Sequence, residues 1–182
     1  MIQGSTRLRW LDSLGLSLTL RHGWSSLAVA LAAGLAFGCW MALADTTFLR
    51  SAVPEVQHWM VAHLSAIQRI ALGLRGALFD ETVLRLLVLT VLVRLARIGG
   101  LSGWRSFWPA ILATALLAWP LTVLPYLSDL DWTAATAVRE VALHGAAGTL
   151  WGWLYCRHGW LAGLAGHWAA HLVLQPLLGI NA

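Results

Sequence analysis

The sequence predicts an all-α fold, a polytopic transmembrane helical bundle of about five spans plus one interfacial or re-entrant segment. Three observations predict it. Of 182 residues, 59% are hydrophobic and 11% charged, whereas a soluble domain carries roughly a quarter charged residues. The apolar residues gather into runs of about the length a bilayer demands, ~20 residues each. Tryptophans sit largely near the ends of those runs (Trp24, Trp40, Trp104, Trp108, Trp132, Trp153 and Trp160), where an interfacial aromatic belt places them.

Residues 1–23 form an amphipathic lead-in, with Arg7, Arg9, Asp12 and Arg21 among Leu and Trp. No short apolar core precedes a small-residue cleavage site, so the stretch does not read as a signal peptide. Trp24–Ala44 is the first span. Asp45–Gln68 holds Arg50, Glu55, Gln57, His58 and His63, and is too polar to cross. It completes a first region, 24–68. The core, 69–178, opens with a long helix over Arg69–Arg97, broken by Gly99, Gly100 and Gly103. Phe107–Leu127 is the next span, which Pro120 and Pro125 kink or end. An acidic loop at Asp129 and Asp131 leads to the last two spans, Thr133–Tyr155 and Trp160–Leu178, joined at Cys156–Gly159.

Charge orients this arrangement. Arg7, Arg9 and Arg21 place the N-terminus in the cytoplasm, and Arg94, Arg97 and Arg105 place the loop after the long helix there too. The Asp129–Asp131 loop then lies outside and Arg157 inside, provided Asp45–Gln68 does not cross. The net charge of +4 comes from scattered arginines with no continuous basic stripe, which argues against nucleic-acid binding. Cys39 and Cys156 lie in or beside apolar runs and suggest neither a disulfide framework nor a zinc ribbon.

Ionisable side chains at hydrocarbon depth cost at least a few kcal/mol each, so they mark candidate sites. Glu81 and Arg85 are four residues apart and can pair on one helix face, while Asp80 points about 100° away and is free to hold a water. The same group can equally be a charge cluster that neutralises itself. Glu140 and His144 repeat the spacing beside a small-residue face, Gly145, Gly148 and Gly152, which allows close helix contact. A histidine bonded across a tight helix pair explains them as well. His167, His171 and Gln175 line one stripe of the last span. Their His-x-x-x-His spacing can bind a metal, but the glutamate of the zincin motif is missing.

Taken in order, these groups resemble the CPBP family, the CAAX protease and bacteriocin-processing intramembrane proteases, with motifs EExxxR, FxxxH and HxxxN. The resemblance covers roughly Arg69–Leu178. It puts Asp80 at the place of the first, catalytic Glu, Glu81 and Arg85 at the second Glu and the Arg, His167 at the motif histidine and His171 at its Asn. The segment Leu116–Pro125, where FxxxH should lie, contains no histidine, and His144 is the candidate substitute. The resemblance implies an endopeptidase of the bacterial inner membrane that cuts a membrane-associated peptide or protein with a carboxylate-activated water and needs no cofactor or metal. Asp80 would be the base, His167 and His171 the oxyanion pair, and Glu81–Arg85 a structural ion pair. Two other classes stay open. One is a catalytically inactive relative acting as a binding or immunity protein, and the other is a metal- or haem-binding bundle using His144, His167 and His171.

Overall fold

The computed structural model describes residues 9–123 and 130–179, and every regular element among them is helical. After a short α1 (Arg9–Ser13) comes α2 (Trp24–Thr46), then a 3-10 turn (Arg50–Ala52) and α3 (Glu55–His63). The next three helices are each interrupted by a π-helical stretch. In α4, residues 66–98, Ala66–Asp80 and Thr90–Ile98 flank the π stretch Glu81–Leu89. In α5, residues 104–122, Trp104–Ala113 and Trp119–Thr122 flank Thr114–Ala118. In α6, residues 134–158, Ala134–Arg139 and Ala146–His158 flank Glu140–Gly145, and α7 is Trp160–Leu178.

Local chemistry sets the ends. Ser65 and Gln68 form a capping box that starts α4, so two backbone donors of its first turn are satisfied by side chains. Gly99 and Gly100 stop the helix, with Gly100 at φ 89°. Thr133 and Thr136 cap α6 in the same way. Gly159 has φ 100°, and a Cβ there would run into the Thr19 carbonyl, so the turn into α7 accepts only glycine.

The last helix lies against α2 with almost no side chains between them. A Cβ on Gly34 would collide with the Gly166 carbonyl, and one on Gly38 with that of Ala170. These small residues, four apart on α2, are the spacing that lets membrane helices approach closely. On the other flank, Gly148 packs on Ala115 and Gly152 on Ile111, so the glycine face of α6 is its contact with α5.

Several sequence-based boundaries are corrected. The first helix continues to Thr46, so Asp45 belongs to α2 and is buried rather than starting an interfacial segment. Ser65 and Gln68 belong to the start of α4, leaving only the 3-10 turn and α3 in between. Among the described residues of the lead-in, only Arg9–Ser13 is helical, and its apolar side is held by the bundle. Leu11, Leu14 and Leu16 are buried against Leu89, Val93, Phe107, Ile111 and Tyr155. Residues 17–21 then strap the α6–α7 turn, where Trp160 N–H donates to Ser17 O (2.8 Å) and Arg21 N–H to His158 O (3.0 Å). Pro120 sits in the first turn of the final stretch of α5, which ends at Thr122. Arg7, Pro125 and Asp129 lie outside the described residues.

Apolar side chains face outward as well as inward, and some charges are interior. Exposed Leu and Val recur along all the long helices, among them Leu35, Leu87, Leu117, Val141 and Leu172, whereas Asp45, Arg69, Glu81, Arg85, Arg139 and Glu140 are buried. By length and composition, one helix among the described residues, Trp24–Thr46, is long and apolar enough to cross a membrane.

Candidate functional site

The middle of the bundle holds a cavity of about 400 Å³. Asp80 from α4, His144 from α6, and His167 and His171 from α7 all line it, so four of the six sequence-predicted site residues converge. Glu81 and Arg85 do not line it. They stand behind it, fully buried, and act on it through their neighbours.

Glu81 sits at the start of the π stretch of α4, where the widened helix leaves carbonyls to be satisfied from outside. Trp160 Nε1 donates to Glu81 O (2.9 Å), and Arg85 O accepts from Thr90 Oγ1 (3.2 Å). The predicted Glu81–Arg85 pair is present, but at 3.7 Å (Arg85 Nε to Glu81 Oε1) it is an ion pair without a hydrogen bond. The closer partner of Glu81 is His167, whose Nδ1 lies 3.1 Å from Oε1. A carboxylate only accepts, so Nδ1 carries the proton and Nε2 is left for the cavity. Gly163 makes the room, since a Cβ there would come 2.9 Å from Glu81 Oε2.

The His167 ring is stacked between Trp151 (5.3 Å) and His171 (5.2 Å), which fixes its plane. Gln175 Nε2 reaches 3.5 Å from His171 Nδ1, a marginal contact along the predicted stripe. Asp80 lines the cavity and makes no hydrogen bond to any described residue.

A second cluster mirrors the first. His144 Nδ1 is 2.8 Å from Glu140 Oε2, and its ring stacks on Trp119 (4.9 Å). The contact is of ion-pair length although its angles fall outside strict hydrogen-bond geometry; at that distance two acceptors would repel, so the nitrogen carries a proton. Glu140 is held in turn by Arg139 Nη1 (2.8 Å), whose Nε and Nη2 clasp Asp45 in a bidentate pair, both at 2.8 Å. Gln57 closes the network, accepting from Arg139 (3.0 Å) and donating to Asp45 (3.1 Å).

Sequence reasoning singled out neither Arg139 nor Asp45 as site residues. Their signal was an Arg beside a Glu inside an apolar run, and a lone Asp at the end of another. Each cluster thus comprises two carboxylates, one arginine and one histidine: Asp80, Glu81, Arg85 and His167, then Asp45, Glu140, Arg139 and His144. His144 and His167, each backed by a buried glutamate, thus face one cavity beside Asp80, which makes no hydrogen bond to a described residue. Such a set can take a proton from water and stabilise a developing oxyanion.

Trp119 of α5 lines the same cavity and stacks on the His144 ring. Among the described residues no three of His, Cys, Asp and Glu are placed to hold a metal ion together. No protein-family model, curated protein or solved structure matches this chain.

Proposed function

We propose that the chain is a polytopic integral membrane protein of the bacterial inner membrane, with its N-terminus in the cytoplasm, and that its central cavity is the site of a CPBP-type intramembrane endopeptidase. The membrane reading is supported by the apolar outer faces of the five long helices and by the burial of six charged residues between them. The observation that carries the peptidase reading is the convergence of Asp80, His144, His167 and His171 on one cavity.

In this reading Asp80 takes a proton from a water, and the resulting hydroxide attacks the carbonyl carbon of a membrane-associated peptide. The oxyanion accepts hydrogen bonds from the Nε2–H groups of the His167 and His144 imidazoliums, whose charges Glu81 and Glu140 balance. As the C–N bond breaks, one imidazolium passes its proton to the departing amine. Asp80 is one methylene shorter than the family's Glu, so the water must sit closer to α4.

The test needs no prior substrate. Peptides released from membranes of cells expressing the parent protein, Asp80→Asn or His144→Ala are compared by mass spectrometry. Each variant is expected to reduce parent-dependent fragments by ~100-fold or more, the usual share of a positioned acid or base. Unchanged fragments in Asp80→Asn would sink the peptidase reading and leave a non-catalytic binding protein in its place.

A further inference from the structure

We infer that a second cavity, at the end of the bundle where α2 finishes and α4 begins, holds the phosphate-bearing headgroup of an anionic phospholipid. This inference rests on the membrane reading of the chain and not on the peptidase reading. The cavity measures about 630 Å³ and is lined by Thr46, Arg50, His58, Ser65, Arg69 and Gly179, among others. It shares a wall with the central cavity through Asp45, Gln57, Val61, Arg69 and Leu178.

Charge points to the ligand. The lining carries two arginines and one carboxylate, Asp45, which Arg139 already holds by two bonds of 2.8 Å. Arg69 is as buried as the other interior arginines, at 4% exposure. Arg85 and Arg139 have carboxylate partners, but no carboxylate lies within ion-pair distance of Arg69 among the described residues. It donates instead to the carbonyls of Val61 (3.4 Å), Leu64 (2.6 Å) and Gln175 (2.8 Å), and its Nε is buried without a partner. Those carbonyls come from the C-terminal ends of α3 and α7, where helix dipoles are negative. They hold the guanidinium in place but leave its full positive charge on the cavity wall, next to the exposed Arg50. A buried cation calls for an anion.

Location points to a lipid as the source of that anion. The cavity lies where four helices start or stop, and exposed Phe48 and Trp59 neighbour its lining residues along the chain. Aromatic residues mark headgroup depth. The space is also too roomy for a bare phosphate.

The experiment titrates delipidated full-length protein in detergent with phosphatidylglycerol, phosphatidylcholine or inorganic phosphate, and counts bound ligand by native mass spectrometry. One phosphatidylglycerol is expected to be retained in preference to phosphatidylcholine, and Arg50→Gln to weaken it roughly fivefold, the share of one Arg at an anionic headgroup. Arg69→Gln should weaken it further. If that variant loses its helical circular dichroism, Arg50→Gln decides alone, because the Arg50 side chain bonds to no described residue. Equal retention of phosphatidylcholine, unchanged affinity in Arg50→Gln, or displacement of the lipid by millimolar inorganic phosphate overturns the inference. Alkaline carbonate extraction keeps the two readings apart. Release of the protein from membranes refutes the membrane reading itself, whereas retention without lipid preference refutes only the headgroup site.

Discussion

Gly73 and Gly76 stand one turn apart on the cavity face of α4, and the sequence gives no means of telling them apart. Their surroundings do. A Cβ on Gly73 would lie 2.6 Å from His171 Nδ1, whereas one on Gly76 would meet nothing within 4 Å. Gly76→Ala should therefore leave peptide release unchanged and raise stability by about 0.5–1 kcal/mol, the cost of a mid-helix glycine. Gly73→Ala should push the His171 ring aside and lower peptide release while the protein stays folded. Thermal unfolding in detergent and fragment release measure the two effects, and equal behaviour of both variants would refute this account of the cavity. Asp80, Glu81, Arg85, His144, His167 and His171 were legible in the sequence because ionisable groups in apolar runs attract attention one by one. What was not legible is who holds whom. His167 leans on Glu81 more closely than Arg85 does, and Arg139 meets Asp45 across 94 positions of chain. Spacing rules reach one helix turn and no further.

Elements were easier to read at their ends than in their middles. Glycine stops and the apolar runs located α4, α6 and α7 closely, whereas the π stretches left no trace in composition, and the one in α4 takes a hydrogen bond from Trp160 of another helix. The strap of residues 17–21 was equally hidden, because its bonds are backbone to backbone. It carries a pH dependence. His158, in the turn beneath it, bonds Ser26 Oγ through Nδ1 (3.0 Å). Partial burial, and after it the charges of Arg157, His22 and Arg21, lower its pKa below the ordinary histidine value. Above about pH 6.5 the ring is neutral both folded and unfolded and contributes no pH dependence. Below it the unfolded chain binds a proton that the folded chain resists, so stability falls with pH until the folded pKa is passed. His158→Gln is therefore expected to flatten part of the fall in thermal midpoint between pH 6.5 and 5. An identical slope in parent and variant would show that the strap does not sense protons.

For the molecule as a whole, the all-α class that the sequence predicts is that of the described residues. Orientation across a bilayer is a separate matter that positive charge alone addresses. With Cys39 and Cys156 replaced by Ala, a cysteine at Ser102→Cys should be labelled by an impermeant thiol reagent only from the cytoplasmic side, and one at Asp131→Cys only from the opposite side. Labelling of both from one side would discard the proposed topology. The π stretches of α4, α5 and α6 also belong to this scale, because the middle one touches the other two. A π turn closes its hydrogen-bond ring over one residue more than an α turn, so each stretch has the form of a local insertion. Removing a residue from any of them would allow a regular α-helix, better bonded and less strained. It would also turn everything beyond the cut by about 100°, swinging the far half of that helix off its packed neighbours and out of register with the polar residues before the cut. The looseness of these helices is thus what sets their two halves in phase, and a shorter, tidier chain would lose the centre it was built around.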